Sequence, residues 1–339
     1  MGERRNPGVG VIAESSMQRM ALSTAVKAHG YELLVSQSPE NVSEADLQSA
    51  VDVWLVDLPE EDEDFLDRLL EQTEAPILFG IEKAPNLGTA PFNWWQRRVF
   101  IKLRDTVGDP VVDERLDELE HAERTAEVVP LPVEFADAAV SGAPALVCVL
   151  AASLGGPAAV KEFLDSLPAE LPVAFVLAQH IDGRMVDVLP QVLGRHNRFR
   201  LKVAESGDRL VHGEVLIAPI AHEIDFAADG TVIARDNKWD GPYSPSMDQV
   251  IGNVSRRFGK GAGALIFSGM GSDGSITGPQ MAEAGGFVWA QTAETCACSS
   301  QPDSMRATAC VSFNGSPAEL AAHLVEHLRL SIGRRAANA

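Results

Sequence analysis

Short apolar runs alternate with segments of helical spacing along most of the chain. In its first part, apolar runs at 8–13, 51–57, 76–81 and 98–103 predict buried strands. The spacing of apolar residues over 16–29 and 61–72 predicts helices between them, and 109–127 predicts a closing helix. Strands that alternate with helices are typical of βαβ units around a parallel sheet.

A change of composition then separates this part from the rest. Residues 128–144 carry three prolines among small residues, which predicts a linker. Beyond it, strands are predicted at 145–151, 173–178, 263–268 and 287–290, and helices after Pro157 and at 247–258 and 276–284. An antiparallel excursion is expected over 214–234, where Asp229-Gly230 marks a turn.

These elements predict an α/β protein with two doubly wound parallel-sheet domains. We expect the first domain to span 1–127 and the second to span 145–333, joined by the linker at 128–144. The first is expected to be receiver-like, with a flavodoxin-like strand arrangement, and the second Rossmann-like. A length of 339 residues agrees with two domains.

Charge and cysteine content narrow the class of partners. The formal net charge of −20 argues against binding to nucleic acid or to anionic membranes. The four cysteines include a Cys-x-Cys at 296–298 but no Cys-x-x-Cys, so neither a metal site nor a disulfide framework is indicated. No apolar run approaches the length of a membrane span, and no signal peptide is evident, so we expect a cytoplasmic protein.

Three short motifs carry the chemistry-bearing residues of the second domain. They read Ala-Ser-Leu-Gly-Gly-Pro at 152–157, Ala-Gln-His at 178–180, and Ser-Gly-Met-Gly-Ser-Asp-Gly at 268–274. Each follows a predicted strand, and ligands of open parallel sheets bind at the carboxyl ends of the strands. We therefore expect Ser153, His180 and Asp273 to converge there, as the composition of an acyl-transfer site requires.

Each of these residues also has a structural alternative. Ser153 is the candidate nucleophile, but it could instead cap the helix that begins near Pro157. His180 is the candidate general base, although a strand-end histidine can simply bond to backbone, and His222 is a competing base. Asp273 would orient the imidazole, but Asp-Gly is also an ordinary turn signal.

The backbone amides of Leu154 and Met270 are the candidates for an oxyanion hole. Met270 also suits a core position. The order Ser-His-Asp along the chain differs from that of the α/β-hydrolases, and the Gly-x-Ser-x-Gly elbow of those enzymes is missing. The sequence therefore disfavours an ordinary α/β-hydrolase.

At these residues the chain resembles the CheB family, the protein-glutamate methylesterases of bacterial chemosensory systems. The family pattern is Ala-Ser-Thr-Gly-Gly-Pro, Gln-His, Gly-Met-Gly-x-Asp-Gly and Gly-Gly-x-x-x-Ala-Gln. It stands here, in the same order, at 152–157, 179–180, 269–274 and 285–291. The segments 214–219 with His222 and 245–248 also match, so the resemblance covers nearly all of 145–330.

The resemblance implies a function and a set of partners. It implies that Ser153, His180 and Asp273 are a catalytic triad that hydrolyses γ-glutamyl methyl esters on the cytoplasmic helices of chemoreceptors. Glutamine deamidation at the same positions is the implied second activity, and a chemosensory histidine kinase is a further implied partner. This chemistry requires no metal and no organic cofactor.

Two departures from the family pattern leave alternatives open. Leu154 stands where the family has threonine, and Ser300-Gln301-Pro302 stands where Gly-Met-Pro is usual. The first departure keeps open a non-catalytic chemosensory regulator with a vestigial esterase domain. A hydrolase of small esters is a third hypothesis.

The first domain resembles the receiver domain that CheB proteins carry. Asp57, at the end of a predicted buried strand, matches the phosphoacceptor, and Lys102 matches the family lysine. Receivers hold Mg²⁺ with two acids after the first strand, but here Ala13-Glu14 supplies only one. We therefore interpret the domain as a degenerate receiver in which Mg²⁺ binding is open, with a strand-end turn residue as the alternative for Asp57.

Overall fold

The structure, a computed structural model, describes residues 5–58, 63–110, 116–121, 126–135 and 142–337. The chain forms two compact units, one of residues 1–112 with 270–272 and the other of residues 113–269 with 273–339. Of the segment predicted as a linker, the described residues 128–135 and 142–144 fall within the second unit, and the domain boundaries themselves stay predictions. Within the described ranges, no helix is both long and apolar enough to cross a bilayer.

The first unit contains a four-stranded sheet with helices. Its strands are β1 (Gly8–Ala13), β2 (Glu32–Gln37), β3 (Val53–Asp57) and β4 (Ile77–Leu78). Its helices are α1 (Ser16–Ala28), α2 (Glu44–Leu47), α3 (Glu63–Gln72) and α4 (Ala90–Val107). The strands lie in the order β2-β1-β3-β4 and every pairing is parallel, which confirms the predicted parallel sheet. This order equals the first four strands of the flavodoxin-like arrangement.

The strand predicted over 98–103 is wrong, because these residues lie inside the 18-residue helix α4. The Thr89 hydroxyl accepts a hydrogen bond from the backbone of Phe92 and begins the helix. Val99, Phe100 and Leu103 are buried on one face, so their spacing fits a helix as well as a strand. The edge strand β2, which is only partly buried, was not predicted.

The second unit is built around a seven-stranded sheet. Its strands are β5 (Leu146–Ala152), β6 (Val173–Gln179), β7 (Arg200–Val203), β8 (Glu214–Ile217), β11 (Ala262–Ile266), β12 (Phe287–Gln291) and β13 (Phe313–Gly315). Two further strands, β9 (Ile224–Phe226) and β10 (Val232–Ala234), form a separate antiparallel hairpin. The helices are α5 (Leu116–His121), α6 (Gly156–Asp165), α7 (Leu189–Gly194), α8 (Met247–Phe258), α9 (Gly278–Glu283), α10 (Ser300–Arg306) and α11 (Pro317–Ala337).

The large sheet has the order β13-β12-β11-β5-β6-β8-β7, with parallel pairing throughout. The chain first adds strands on one side of β5 and then returns to add β11, β12 and β13 on the other side. The carboxyl end of β5 therefore lies at the switch point where ligands bind in open α/β sheets.

The region 214–234 is only partly as predicted. The β9–β10 hairpin confirms the antiparallel excursion, but β8 pairs in parallel with both β6 and β7 inside the main sheet. The short strands β7 and β13 at the two edges were not predicted. Edge strands of three or four residues carry too little pattern to be distinguished from loops.

Alternation along β5 divides the interior into two layers. Leu146, Cys148 and Leu150 belong to the core beneath α6, α7 and α11, whereas Val147 and Val149 belong to the core beneath α8 and α9. All seven residues of the strand are buried, because helices cover both faces of the sheet. β6 alternates in the same way, so residues that pair across β5 and β6 belong to the same core.

Candidate active site

Ser153 and His180 lie next to each other at the ends of neighbouring strands. β5 and β6 are paired up to Ala152 and Gln179, and the ladder continues because the His180 amide donates to the Ala152 carbonyl at 3.0 Å. The Ser153 amide likewise donates to the Ser268 carbonyl after β11, at 3.1 Å. Ser153 and His180 are therefore adjacent across the ladder, at the usual strand spacing of about 4.8 Å.

Strand alternation also sends both side chains to the same face. Positions 147, 149 and 151 of β5 and positions 174, 176 and 178 of β6 all enter the core beneath α8. Ser153 and His180 continue these two series, so they emerge on the side of the sheet where α8 lies.

His180 is bound there through one ring nitrogen. Its Nε2 lies 3.0 Å from Asp273 Oδ2 and 3.1 Å from the Pro245 carbonyl oxygen. Both partners are acceptors, so Nε2 carries the proton and the lone pair of the neutral ring is on Nδ1. The ring also stacks on Tyr243, with centroids 5.0 Å apart and planes 8° apart. The structure thus holds an imidazole whose unprotonated nitrogen is available as a base.

Asp273 is held by the amino end of α8. Its side chain is fully buried and accepts hydrogen bonds from the backbone amides of Met247 at 2.7 Å and Asp248 at 3.2 Å. Its own loop adds the amide of Gly274 at 3.1 Å. Amides at a helix amino terminus favour a negative charge, so this environment stabilises the carboxylate that faces His180.

The α8 terminus that binds Asp273 is itself fixed by side chains. The Ser246 hydroxyl caps the helix by accepting from the amide of Gln249. The carboxylate of Asp248 accepts from the amides of Ile276 and Thr277, both at 3.0 Å, which ties the helix to the loop after Asp273. Sequence reasoning noticed the Pro-Ser-Met-Asp segment at 245–248 but assigned it no role, since backbone donors leave no signal in the sequence.

The loop after β5 presents Ser153 with its hydroxyl unengaged. The Ser153 carbonyl accepts from the Gly156 amide at 2.8 Å and from the Gln179 side-chain amide at 2.9 Å. Within the described chain, neither the Ser153 hydroxyl nor the Leu154 amide has a hydrogen-bond partner. Gly155 adopts a positive φ of 72°, a conformation that favours glycine at the start of α6. Ser153 therefore does not cap that helix through its side chain.

The remaining candidates lie elsewhere. His222 is half-buried and is not bonded to Asp273, and His212 Nε2 donates to the Ala143 carbonyl at 2.7 Å. Met270 follows Gly269 beyond β11, and its predicted oxyanion role stays a prediction. Among the described residues, no group of three or more histidine, cysteine or acidic side chains is arranged to hold a metal ion.

In the first unit, the predicted receiver residues have few supporting contacts. Asp57 ends β3, and burial raises the pKa of its carboxyl. Glu14 follows β1 and is exposed. Lys102 lies on α4 instead of on a strand, and its ammonium donates to the Gly80 carbonyl at 3.1 Å. The phosphoacceptor assignment stays a prediction.

Comparison with known proteins identifies the family of the second unit. A family model described as CheB methylesterase matches residues 148–324, which is more than half of the chain. The chain belongs to the CheB methylesterase family. The matched residues include the strand ends that carry Ser153, His180 and Asp273.

Curated relatives agree with this membership. A protein-glutamate methylesterase/protein-glutamine glutaminase of Anaeromyxobacter dehalogenans is 34% identical over 193 residues, which cover 55% of each chain. One of Myxococcus xanthus is 34% identical over 170 residues, covering 50% of this chain and 48% of its own. The chain thus spans about half the length of the curated relatives that it matches.

A solved structure shows the same fold. The CheB methylesterase catalytic domain of Thermotoga maritima aligns with a TM-score of 0.51 and 24% sequence identity. The alignment covers 97% of that domain and 53% of this chain. This likeness supports the Rossmann-like fold predicted for the second domain.

Proposed function

We propose that this chain is a protein-glutamate methylesterase that uses Ser153, His180 and Asp273 as a catalytic triad. The observation that carries the proposal is the hydrogen bonding of His180. Asp273 and a backbone carbonyl both bind Nε2, so the basic nitrogen is Nδ1, on an imidazole that neighbours Ser153 across the ladder. Among the described residues the Ser153 hydroxyl has no hydrogen-bond partner, His180 included, so the proposed proton transfer requires the hydroxyl to approach Nδ1 in the substrate complex.

The reaction then proceeds in two acyl-transfer steps. The Ser153 oxygen attacks the ester carbonyl carbon while His180 accepts the hydroxyl proton. The carbon–oxygen bond to the methoxy group breaks, and His180 returns the proton so that methanol leaves. Water attacks the resulting acyl-enzyme by the same route, which releases glutamate and restores the serine. Asp273 stabilises the imidazolium that forms in each step.

The amide of Leu154 is the first donor that we assign to the oxyanion. Among the described residues it has no hydrogen-bond partner, it directly follows the nucleophile, and it lies at the turn into α6. Because only a backbone N–H is used, leucine in place of the family threonine does not remove this donor. Met270 is the proposed second donor.

The substrate class follows from the names of the relatives. Those proteins are named as acting on protein glutamate methyl esters and on protein glutamine. We propose the same two reactions here, with the cytoplasmic helices of chemoreceptors as substrates. With glutamine as substrate, the carbon–nitrogen bond breaks and ammonia leaves with the proton from His180.

The decisive experiment measures methanol release from a purified, methylated chemoreceptor cytoplasmic fragment. Wild type should release methanol, and Ser153→Ala should lower the rate by about a thousand-fold or more, because the acyl-enzyme cannot form. Equal release by both proteins would eliminate the esterase proposal and favour a non-catalytic regulator. Turnover of p-nitrophenyl acetate without any receptor turnover would favour a small-ester hydrolase.

For the first unit we propose a partner-binding role without phosphorylation. Asp57 ends a parallel strand as a phosphoacceptor would, but only Glu14 follows β1 as a cation ligand, and Lys102 is engaged by a backbone carbonyl. A hard cation needs several oxygen ligands, and the described residues at this edge offer few. A chemosensory histidine kinase is the proposed partner, and the cytoplasm is the proposed location.

A further inference from the structure

Near Ser153 lies the buried side chain of Gln301, whose polar amide does not stabilise the fold. Gln301, in helix α10, is 1% exposed, and its Oε1 is buried without a hydrogen-bond partner. Among the described residues, the hydrogen-bond partner of its Nε2 is the thioether sulfur of Met247 alone, at 2.6 Å, and thioethers are weak acceptors. A buried amide without proper partners destabilises a protein, so a methionine here would suit the fold better.

The amide of Gln301 lies beside the nucleophile. A Cβ placed on Gly269 would come within 2.0 Å of Gln301 Oε1 and within 2.9 Å of Ser153 Cβ. Gly269 therefore has no room for a side chain. Because Gln301 Oε1 and Ser153 Cβ both lie close to the position that this Cβ would take, they are also close to each other. On its other side the amide touches Met247, whose backbone binds Asp273. The backbone of Gln301 is anchored to the same place, because its N–H donates to the Gly269 carbonyl at 3.0 Å.

We propose that Gln301 Oε1 accepts a hydrogen bond from the carboxamide NH₂ of a glutamine substrate, which makes Gln301 a determinant of deamidation over ester hydrolysis. This inference rests on the proposed function of the site. The reacting group of a glutamine carries two N–H donors that need acceptors when binding removes them from water. The methoxy group of a methyl ester carries none.

Gln301 Oε1 lacks a donor, and of the two substrates only glutamine brings one. An acceptor without a donor next to Ser153 benefits the substrate that brings a donor and offers nothing to the ester. The bond that breaks is the carbon–nitrogen bond of the substrate, and His180 supplies the proton with which ammonia leaves. Gln301 exchanges no proton in this step and acts only through the hydrogen bond to the departing nitrogen.

The test compares two substrates that differ only in the reacting group. One is a purified chemoreceptor cytoplasmic fragment with glutamine at the modification position, and the other is the same fragment with γ-methyl glutamate there. Ammonia and methanol release are measured for wild type and for Gln301→Met, with Ser153→Ala as the background. We expect Gln301→Met to lower ammonia release about ten-fold or more relative to methanol release.

Two further variants distinguish a hydrogen bond to the substrate from a general structural effect of replacing a buried glutamine. Gln301→Glu keeps acceptors but loses the donor, so it should retain more ammonia release than Gln301→Met. Gln291→Met is the matched structural control, since Gln291 is equally buried but fully paired, with Ser268 N–H and with the carbonyl of Thr295. Its loss should lower both reactions in parallel.

Failure of the proposed role of Gln301 and failure of the proposed esterase activity would give different results. If Gln301→Met lowers both reactions equally, or neither, Gln301 does not discriminate between substrates and the inference is overturned. If wild type releases methanol but never ammonia, the esterase survives and the inference fails. If wild type releases neither above the Ser153→Ala background, the proposed function itself is wrong.

Discussion

Both units place an aspartate at the carboxyl edge of a parallel sheet, but the two aspartates have very different surroundings. Asp273 is fully buried and accepts three backbone N–H bonds in addition to the bond to His180. Among the described residues, Asp57 at the end of β3 has no such donors, and burial raises the pKa of its carboxyl. The two aspartates therefore share their position at a strand end, but among the described residues only Asp273 has supporting backbone hydrogen bonds.

The contrast shows what distinguishes a site from a strand end. A parallel sheet brings strand-end residues together whatever they are, so residue type and placement alone predict weakly. Around Asp273 the amino end of α8, its cap Ser246 and the carboxylate of Asp248 fix the geometry. A group held in this way loses little freedom when the reaction begins.

The largest expected effect that sharpens this comparison is that of Asp273→Asn. The amide cannot stabilise the imidazolium, and it offers an N–H group towards the nitrogen that now donates to Asp273. We expect methanol release from the folded variant to fall by about a thousand- to ten-thousand-fold. Asp57→Asn is the matched substitution in the other unit and should leave the rate within about two-fold. Similar losses from both substitutions would contradict the contrast.

A second difference concerns acid stability. His29 in the first unit is 3% exposed and stacks on Phe100, and burial lowers the pKa of its imidazole from 6.5 to about 4. Below pH 6.5 His29 is therefore protonated in the unfolded chain but stays neutral in the folded unit until the pH approaches 4. Stability is lost as the pH falls from 6.5 towards 4, by about 3 kcal/mol at the lower limit.

Hydrogen exchange of peptides from β1 and β5, corrected for intrinsic rates, measures this loss unit by unit. The free energy of opening for β1 should fall over that pH range, and His29→Gln should flatten the dependence. A dependence that is unchanged in His29→Gln would show that other groups cause the acid lability.

A smaller effect tests the hydrogen bond from α8. Met247 is the first residue of that helix, where proline is tolerated, and Met247→Pro removes only the N–H that binds Asp273 together with the side chain. Met247→Ala removes the side chain and keeps the N–H, so it is the control. We expect Met247→Pro to release methanol about ten-fold more slowly than Met247→Ala. Equal rates would mean that this amide does not support catalysis.

The smallest expected signal is that of phosphorylation. Incubation with acetyl phosphate and Mg²⁺ should leave the chain unlabelled, because few oxygen ligands accompany Asp57 among the residues that the structure describes. Intact-mass measurement detects the addition of a phosphoryl group. Labelling of wild type that disappears in Asp57→Asn would establish a functional receiver and refute the degenerate interpretation.

Much of the site could be anticipated because parallel strands impose it. The fully buried runs of β5, β6 and β11 are read directly from their apolar residues, and the residues that follow them must meet at one edge. The same reasoning failed over 98–103, where six largely apolar residues fit a helical face as well as a strand. It also failed for the edge strands, which are too short for a pattern.

The contacts that complete the site have no such signature. The carbonyl of Pro245 and the amide of Met247 are backbone groups that every residue possesses, and only the path of the chain brings them to His180 and Asp273. Gln301 could be seen as a departure from the family pattern, but its buried, unpaired oxygen beside Ser153 could not.

The sequence by itself determined the parallel α/β class and the strand ends at which Ser153, His180 and Asp273 stand. It could do so because hydrophobic periodicity and strand-end chemistry are local properties of the chain. The tertiary structure alone decided which nitrogen of His180 is bonded, which amides hold Asp273, and which buried oxygen lacks a donor. Those outcomes depend on segments up to about a hundred residues apart meeting at hydrogen-bond distance, which no local pattern encodes.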